Sequence, residues 1–224
     1  MKHSPCLRIV AVSDDDNISA LPKNFYADIL LSLGDISSKT VEKVADICMP
    51  ERVFAVRGNH DSPFSEWPFW MEDLHGRVEY ANGFAFAGMG GCWRYKQSGA
   101  FLFSQEEARG VLHGLPAADI LISHNSPASY HERDHDVHQG FQAITEYIDR
   151  HTPRLVIHGH QHMNMVSQRN STVIVGCYKI CTIEIPYCTD NSLQNMRVRF
   201  FSEKGSILRK ISTAGWRSIS CDKI

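Results

Sequence analysis

Short apolar runs recur along most of the chain and alternate with amphipathic stretches. The runs are continuous, as expected of strands covered on both faces, and they lie at residues 7–12, 28–33, 52–56, 84–88, 119–122 and 154–157. Between them, apolar residues fall on one face of a helix at 40–49, 104–113 and 140–150. This alternation predicts an α/β fold.

Two local signals refine this pattern. Ser104 and Glu107 form a capping box at the start of the second helix, and Gly114 is suited to end it. After Met163 the pattern changes to strands at 172–175, 179–185 and 196–201. We therefore expect a single domain over residues 1–224, with a core of about 7–163 and a closing β-rich region of about 164–224.

Composition restricts the class of protein. The chain has 224 residues, and its 23 Lys and Arg against 25 Asp and Glu give a formal charge of -2. This balance argues against a generally basic nucleic-acid surface. The apolar runs are too short for a signal peptide or a membrane span, and the seven scattered cysteines include no C-x-x-C pair. We expect a cytoplasmic protein with reduced thiols and no membrane partner, and the oligomeric state stays open.

Polar side chains follow five of the apolar runs at the point where each predicted strand ends. The segments are Asp14-Asp15-Asp16, Gly34-Asp35, Gly58-Asn59-His60-Asp61, Ser123-His124 and Gly159-His160-Gln161-His162. Each segment alone is typical of a turn. Because ligands bind outside the carboxyl ends of strands in α/β sheets, the five together predict a site.

The residue types indicate a metal site. Imidazole and carboxylate without thiolate suit zinc, iron, manganese or magnesium. Two such ions ~3.5–4 Å apart can activate a bridging hydroxide and clamp the oxygens of a displacement at phosphorus. A bridging carboxylate is needed, and Asp35 could supply it.

The ordered set of segments, from Val12 to His162, resembles the calcineurin-like metallophosphoesterases. The resemblance implies a four-layer αββα sandwich of two mixed β-sheets flanked by helices. It also implies two divalent metal ions and a small-molecule phosphoester substrate.

The resemblance assigns roles to individual residues. It implies metal ligands at Asp14, Asp16, Asp35, Asn59, His124, His160 and His162. The first metal would take Asp14, Asp16, Asp35 and His162, and the second would take Asn59, His124 and His160, with Asp35 bridging. His60 would protonate the leaving oxygen or stabilise the phosphoryl group, and Asp61 would orient the His60 ring by accepting its hydrogen bond.

Position 16 departs from the family pattern, in which the first motif is D-x-H. Asp16 replaces a neutral nitrogen donor by an anionic oxygen donor. This change favours Mn²⁺ or Mg²⁺ over iron or zinc. The alternative is that Asp16 points away and water fills the position.

Small, one-domain phosphodiesterases match the segments best. We expect a metal-dependent phosphoesterase that hydrolyses phosphodiester bonds of a small, nucleotide-like substrate through the bridging hydroxide. One alternative is a phosphomonoesterase or nucleotide hydrolase on the same site. Another is a scaffold that keeps the fold without catalysis.

Three further segments could border the substrate. Arg94 could contact a phosphate oxygen or be a solvated loop arginine. The aromatic segment 62–70 could stack on a nucleobase, although we favour its covering a minor core. The histidine-rich loop 131–138 is expected to be flexible, and residues 134–140 resemble a site wall of bacterial members.

Overall fold

The computed structural model describes residues 6–18, 25–133, 136–187, 196–202, 205–212 and 215–221. Its helices are α1 (Ser38–Cys48), α2 (Gln105–His113) and α3 (Gln142–His151), with a 3-10 turn at Asp136–His138. Its strands are β1 (Cys6–Ser13), β2 (Ile29–Ser32), β3 (Arg52–Ala55), β4 (Met71–Asp73), β5 (Val78–Ala81), β6 (Phe84–Met89), β7 (Cys92–Trp93), β8 (Leu102–Phe103), β9 (Ile120–Ser123), β10 (Leu155–His158), β11 (Met165–Arg169), β12 (Thr172–Gly176), β13 (Lys179–Pro186), β14 (Arg197–Ser202), β15 (Gly205–Ser212) and β16 (Gly215–Cys221).

The strands form two large mixed sheets and one small pair. The first sheet has the order β16-β15-β14-β13-β1-β2-β3-β4, and the second has the order β11-β12-β10-β9-β6-β5. In the first, β1 to β4 are parallel and β13 runs antiparallel to β1. In the second, β6, β9, β10 and β12 are parallel, and β5 and β11 are antiparallel at the edges. Strands β7 and β8 pair separately.

The packing arranges these sheets and helices in four layers. On β1, Leu7, Ile9 and Ala11 belong to the core cluster between the two sheets, whereas Val10 and Val12 pack in the cluster with α1. A third cluster joins the outer face of the second sheet to α2 and α3. Because both faces of the inner strands are covered, these strands are continuously apolar. The predicted αββα sandwich is confirmed.

The structure confirms the predicted inner strands and three helices to within one or two residues. Outside the small pair, the strands β4, β5, β11, β15 and β16 were not predicted. The edge strands β5 and β11 expose much of their surface, so they lack the apolar signal of a covered strand. The predicted turn-rich connection at 188–195 lies outside the described residues.

Among the described residues, no helix combines the length and the hydropathy that crossing a membrane requires.

The predicted capping box of α2 is present. Ser104 Oγ accepts from the Glu107 N–H at 3.1 Å, and Glu107 Oε2 accepts from the Ser104 N–H at 2.7 Å. The helix ends at His113 with Gly114 as its C-cap. These two bonds satisfy N–H groups that the first turn otherwise leaves unpaired.

Two substitutions in α2 should change stability in opposite directions. Ser104→Ala removes the cap and should lower the free energy of unfolding by about 1 kcal/mol. Gly110→Ala should raise it by roughly 0.5–1 kcal/mol, because alanine loses less backbone entropy and a Cβ there meets nothing within 4 Å. Urea unfolding followed by circular dichroism measures both. Equal midpoints for the two variants would contradict the capping argument.

Candidate metal centre

The strand-end segments of both sheets meet at one edge of the sandwich. Asp14 follows β1, Asp35 follows β2 and His124 follows β9 of the other sheet. One ligand atom from each of these three residues lies within 4.8 Å of the others. The parallel strands thus deliver side chains from distant parts of the sequence to one point, as expected at the carboxyl ends of an α/β sheet.

Several of these residues adopt the left-handed backbone region that side chains other than glycine rarely enter. The φ angles are 66° at Asp14, 54° at Asp35, 62° at His160 and 49° at His162. Each costs roughly 1–2 kcal/mol relative to the right-handed region. Residues in this region cluster at functional sites, where the surrounding structure enforces them. Here the sharp turns direct the side chains into the crevice.

Gly58 allows two strand ends to approach each other closely. A Cβ built on Gly58 would lie 2.1 Å from Asp35 Oδ1 and 2.6 Å from His124 Cε1. Real Cβ atoms do not make such contacts, so a side chain at this position would displace both. The glycine in the G-N-H-D segment is therefore required for the approach of Asp35 to His124.

His124 is fully buried and directs one ring nitrogen into the group. Its Nδ1 lies 2.8 Å from the Leu33 carbonyl, which can only accept, so Nδ1 carries a proton. Its Nε2 faces Asn59 Oδ1 at 3.1 Å and Asp35 Oδ2 at 3.3 Å. Three potential ligand atoms thus converge on one point, and Asn59 Nδ2 is buried without a hydrogen-bond partner in the described chain.

The electrostatics of the group fit a cation. Burial alone would lower the pKa of His124, but the charges of Asp35 and Asp14 and a hydrogen bond to Asp35 raise it to about 9. Burial acts to raise the pKa of Asp35, but the charge of His124 and the hydrogen bond with it lower it to about 2. A positive charge between these atoms is thus strongly favoured. A divalent ion at that point could bind the carboxylates of Asp14 and Asp35 and the imidazole of His124. The residues present therefore fit a metal site.

His160 is oriented in the same manner as His124. Its Nε2 lies 3.0 Å from the Val137 carbonyl, which leaves Nδ1 as the unprotonated nitrogen. Burial, followed by the charge of His124, lowers the pKa of His160 to about 3. Histidines that ligate metals typically donate their other ring N–H to a carbonyl or carboxylate, which sets the tautomer. Both imidazoles show this arrangement.

His162 lies at the solvent side of the group. Its Nε2 is 3.9 Å from Asp14 Oδ1, and its side chain is about half exposed. The ring stacks on Tyr178 at a centroid distance of 5.2 Å, and the Tyr178 hydroxyl donates to Asp15. Asp15 therefore fixes Tyr178, and Tyr178 in turn packs against His162. Nothing in the sequence indicated this role for Asp15.

The structure does not bring Asp16 into the Asp14–Asp35–His124 group. Asp16 Oδ1 accepts hydrogen bonds from the Ser37 N–H at 2.9 Å and from Ser37 Oγ at 2.8 Å. Ser37 is the N-cap of α1. The carboxylate is exposed and is held at the start of this helix, as in the alternative in which it points away from the metal.

His60 lies exposed at the rim of the group, and its backbone N–H donates to Asp35 Oδ1 at 2.7 Å. Asp61 was expected to accept a hydrogen bond from the His60 ring. Instead Asp61 Oδ2 accepts from the backbone N–H groups of Gly58 at 2.7 Å and Asp35 at 3.2 Å. Asp61 therefore ties the β2 and β3 loops together, and the expected role in orienting His60 is corrected.

Arg94 is engaged away from the group. Its guanidinium donates to both oxygens of Glu107, at 2.7 and 2.9 Å, and to the Leu102 carbonyl at 3.1 Å. Both partners of the Arg94–Glu107 ion pair are well exposed. The structure therefore places Arg94 at the capping box of α2.

The aromatic segment divides into exposed and packed residues. Phe64 and Phe69 are 93% and 98% exposed, whereas Trp67 and Trp70 pack against the α1 cluster. The Trp67 ring lies 4.2 Å from the Arg57 guanidinium. The expected minor core is thus limited to the tryptophans.

The histidine-rich loop contains a buried, hydrogen-bonded histidine in its described part. His131 is buried, with Nδ1 2.9 Å from His158 Nε2 and Nε2 2.8 Å from Ser167 Oγ. His158 has no exposed surface and bonds to the Gly159 carbonyl. Asp134 and His135 lie outside the described residues. The burial of His131 was not predicted, because the sequence does not show its ring partner on β10.

Comparison with known proteins identifies the family. The family model described as calcineurin-like phosphoesterase superfamily domain matches residues 7–181. The chain therefore belongs to the calcineurin-like phosphoesterase superfamily. No curated protein matches the sequence significantly.

Solved structures are similar to this chain at low sequence identity, and the first of those named here shares its fold. TT1561 of Thermus thermophilus is 16% identical, with a TM-score of 0.60 over 95% of this chain and 98% of that one. Phosphopantetheinyl hydrolase from Mycobacterium tuberculosis is 12% identical, with a TM-score of 0.49 over 76% and 89%. Vacuolar Protein Sorting 29 from Cryptosporidium parvum is 13% identical, with a TM-score of 0.48 over 96% and 97%.

Gly58→Ala should weaken metal binding without unfolding the protein. The new Cβ would overlap the Asp35 carboxylate, so that ligand must move, and we expect affinity for Mn²⁺ to fall by about 10–100-fold, as for other changes that misplace ligands. Equilibrium dialysis with metal analysis measures the loss. Gly110→Ala is the matched control, since its Cβ enters open space. An unchanged metal content in Gly58→Ala would refute the close-approach argument.

Proposed function

We propose that this calcineurin-like phosphoesterase hydrolyses phosphodiester bonds of a small substrate at a dinuclear metal centre. The observation that supports this most strongly is the convergence of Asp14, Asp35 and His124 from three strand ends. Two carboxylates and an imidazole nitrogen lie close together in a buried place between two sheets, and a cation that displaces the Nε2 proton of His124 would bind all three.

The described side chains divide into two ligand sets. We assign Asp14, Asp35 and His162 to one ion and Asn59, His124 and His160 to the other, with Asp35 shared. The contacts of Asp14 with His162, and of His124 with Asn59, Asp35 and His160, support this assignment. Two divalent ions held there would supply Lewis-acid activation of water and would neutralise charge on the phosphoryl oxygens. The protein would contribute the fixed imidazole tautomers and the enforced turns, which keep the donors in place before substrate arrives.

His60 is the residue that we assign to the leaving group. Its backbone is fixed on Asp35, and its ring is exposed at the open side of the group. An imidazole there can donate a proton to the departing oxygen, which is the task of a general acid. It can also donate a hydrogen bond to the phosphoryl group as negative charge develops.

The contacts that Arg57 and Arg94 already make within the protein support a diester substrate. Arg57 donates to the Ser62 and Ser65 carbonyls while it lies on Trp67, and Arg94 is held by Glu107. Neither guanidinium is free to pair with the second charge of a phosphomonoester dianion. A diester carries one charge fewer and makes a smaller demand on such contacts.

The segment after His60 supports a substrate with a planar group. Arg57 anchors the turn at Ser62 and Ser65, and this turn presents Phe64 to solvent. An exposed ring four residues beyond His60 can stack on a nucleobase for ~1–3 kcal/mol. We therefore include nucleotide-like diesters in the proposed substrate class.

His60→Ala should remove activity while leaving metal binding intact. We expect kcat for a model aryl phosphodiester to fall by about 10²–10⁴-fold, the range for loss of a general acid. The wild type reconstituted with Mn²⁺ should hydrolyse the diester faster than the matching monoester. Full activity in His60→Ala would overturn the assignment. A metal-loaded wild type that is inert towards a broad phosphoester panel would overturn the proposed function.

We also propose that Mn²⁺ or Mg²⁺ is preferred over zinc or iron. Asp16 is held on Ser37, and position 16 offers no imidazole, so the first site has one nitrogen donor fewer than the D-x-H pattern. Oxygen donors suit manganese and magnesium.

Asp16→His should shift the preference towards zinc. Metal-stripped wild type should be reactivated best by Mn²⁺ or Mg²⁺, and the variant should gain zinc affinity by about tenfold or more, because an imidazole suits zinc. Competition titrations against a chromogenic chelator measure the shift. Asn17→His is the matched control one residue away, since Asn17 is exposed and contacts Asp15 and Lys179 through its backbone. A wild-type preference for zinc that Asp16→His does not change would defeat the argument.

A further inference from the structure

Consecutive backbone carbonyls from residue 137 to residue 140 each accept a hydrogen bond from a side chain of another segment. We refer to residues 137–140 as the carbonyl strap. The donors are His160 Nε2 to Val137 O at 3.0 Å, Gln161 Nε2 to His138 O at 2.8 Å, Asn125 Nδ2 to Gln139 O at 2.8 Å and Gln105 Nε2 to Gly140 O at 2.9 Å.

Two of these donors are buried amides that flank proposed metal ligands. Asn125 follows His124 and has no exposed surface, and Gln161 separates His160 from His162 and is 1% exposed. A carbonyl only accepts, so its partner atom must be a donor. The contacts therefore set the orientation of both amides and the tautomer of His160.

Gln161 keeps these contacts although one of its own polar atoms has no partner. Its Nε2 donates to the His138 carbonyl and to Ser126 Oγ at 3.0 Å, while Oε1 is buried without a hydrogen bond in the described chain. A buried unpaired acceptor is costly. The orientation of the Gln161 amide is thus set by its Nε2 group, which donates to the strap.

The last residue of the strap, Gly140, is also held by contacts with the preceding loop. Glu132 Oε1 accepts from the Gly140 N–H at 2.7 Å. A Cβ on Gly140 would lie 2.6 Å from the Pro127 carbonyl, so the strap lies directly against the chain that follows His124. These contacts fix the Gly140 end of the strap, and the amide donors along it limit how far the Val137 carbonyl can move from the His160 ring.

We propose that Gln161 and Asn125 are positioning residues that hold the carbonyl strap on His160 and thereby set the metal affinity of the second site. The strap keeps the proton on His160 Nε2, so that Nδ1 stays unprotonated and aimed away from the strap. Groups that orient a metal-binding histidine typically change metal affinity by about 10–100-fold. This inference rests on the proposed function only in that His160 is taken as a ligand of the second metal.

Gln161→Met tests the proposal, because methionine keeps the length of glutamine and adds no charge but lacks the donor. Metal-free protein is titrated with Mn²⁺, and free Mn²⁺ is followed by its electron paramagnetic resonance signal. We expect the first equivalent to bind as in the wild type and the second to bind ~10–100-fold more weakly. Gln168→Met is the matched control, since Gln168 is exposed and donates to the Asn170 carbonyl of a hairpin.

Gln105→Met gives a second test that leaves the buried amides intact. It removes the strap contact farthest from His160 and also the Gln105 Oε1 acceptor of the Gln142 N–H at the start of α3. The second equivalent should weaken by only a few fold. Each variant leaves a carbonyl without its donor, so the metal-free variants should unfold at a slightly lower temperature than the wild type. Equal weakening of both equivalents in Gln161→Met would show a merely structural role and would overturn the proposal.

His160→Ala separates this inference from the proposed function. If His160→Ala weakens the second equivalent and Gln161→Met does not, the positioning role is refuted and the dinuclear centre stands. If His160→Ala leaves Mn²⁺ binding unchanged, the proposed second site is refuted and the inference with it.

Discussion

The arrangement of the site depends on keeping two carboxylates, Asp14 and Asp35, next to His124 in a place from which water is largely excluded. Asp14 has no exposed side-chain surface and Asp35 has 8%. Burial raises the pKa of Asp14, and the charge of His124 offsets this only in part. Buried charges of like sign destabilise a fold unless opposite charge accompanies them. The site therefore holds a demand for positive charge that one histidine meets only partly.

The surrounding structure keeps this unfavourable cluster from relaxing. Backbone N–H groups of the neighbouring loops bind its oxygens: His160 donates to Asp14, and His60 donates to Asp35. Asp61 joins the two loops that carry Asp35 and Gly58. Rigid strands alone would not suffice, because each proposed ligand lies just beyond a strand end. The hydrogen bonds between loops convert a set of turns into a preorganised site, at a cost in backbone strain that the core of the sandwich offsets.

The sequence predicted the layers well because covered strands and capped helices carry local signals. The inner strands β1, β2, β9 and β10 are almost wholly apolar, and their polar ends mark the edge where ligands converge. The exposed edge strands carry no such signal. At the site, residue types predicted that Asp14, Asp35 and His124 meet, but they did not predict that Asp16 lies apart, nor the hydrogen-bond partners. Two predicted details show the difference: Asp61 binds backbone N–H groups instead of a ring, and His131 is buried on His158. Backbone carbonyls and N–H groups are present at every residue, so their use depends on the fold and leaves no trace in composition or spacing.

Position 16 shows how a motif can change its partner while the fold stays the same. Asp16 binds the Ser37 N–H and hydroxyl, and Ser37 in turn caps α1 by accepting from the Thr40 N–H. A carboxylate at a helix N-terminus is favourable by about 0.3–1 kcal/mol, whereas an imidazole could not accept both of these hydrogen bonds while binding a metal. The residue that replaces histidine here thus stabilises the junction between the first loop and α1. Since Asp14 lies two residues before it in a strained turn, this anchor also restrains the turn that aims Asp14 into the group. An aspartate at position 16 therefore has two consequences: the site lacks a nitrogen donor there, and the first loop gains an anchor on Ser37. The anchor explains how the turn at Asp14 keeps its geometry although position 16 offers no imidazole.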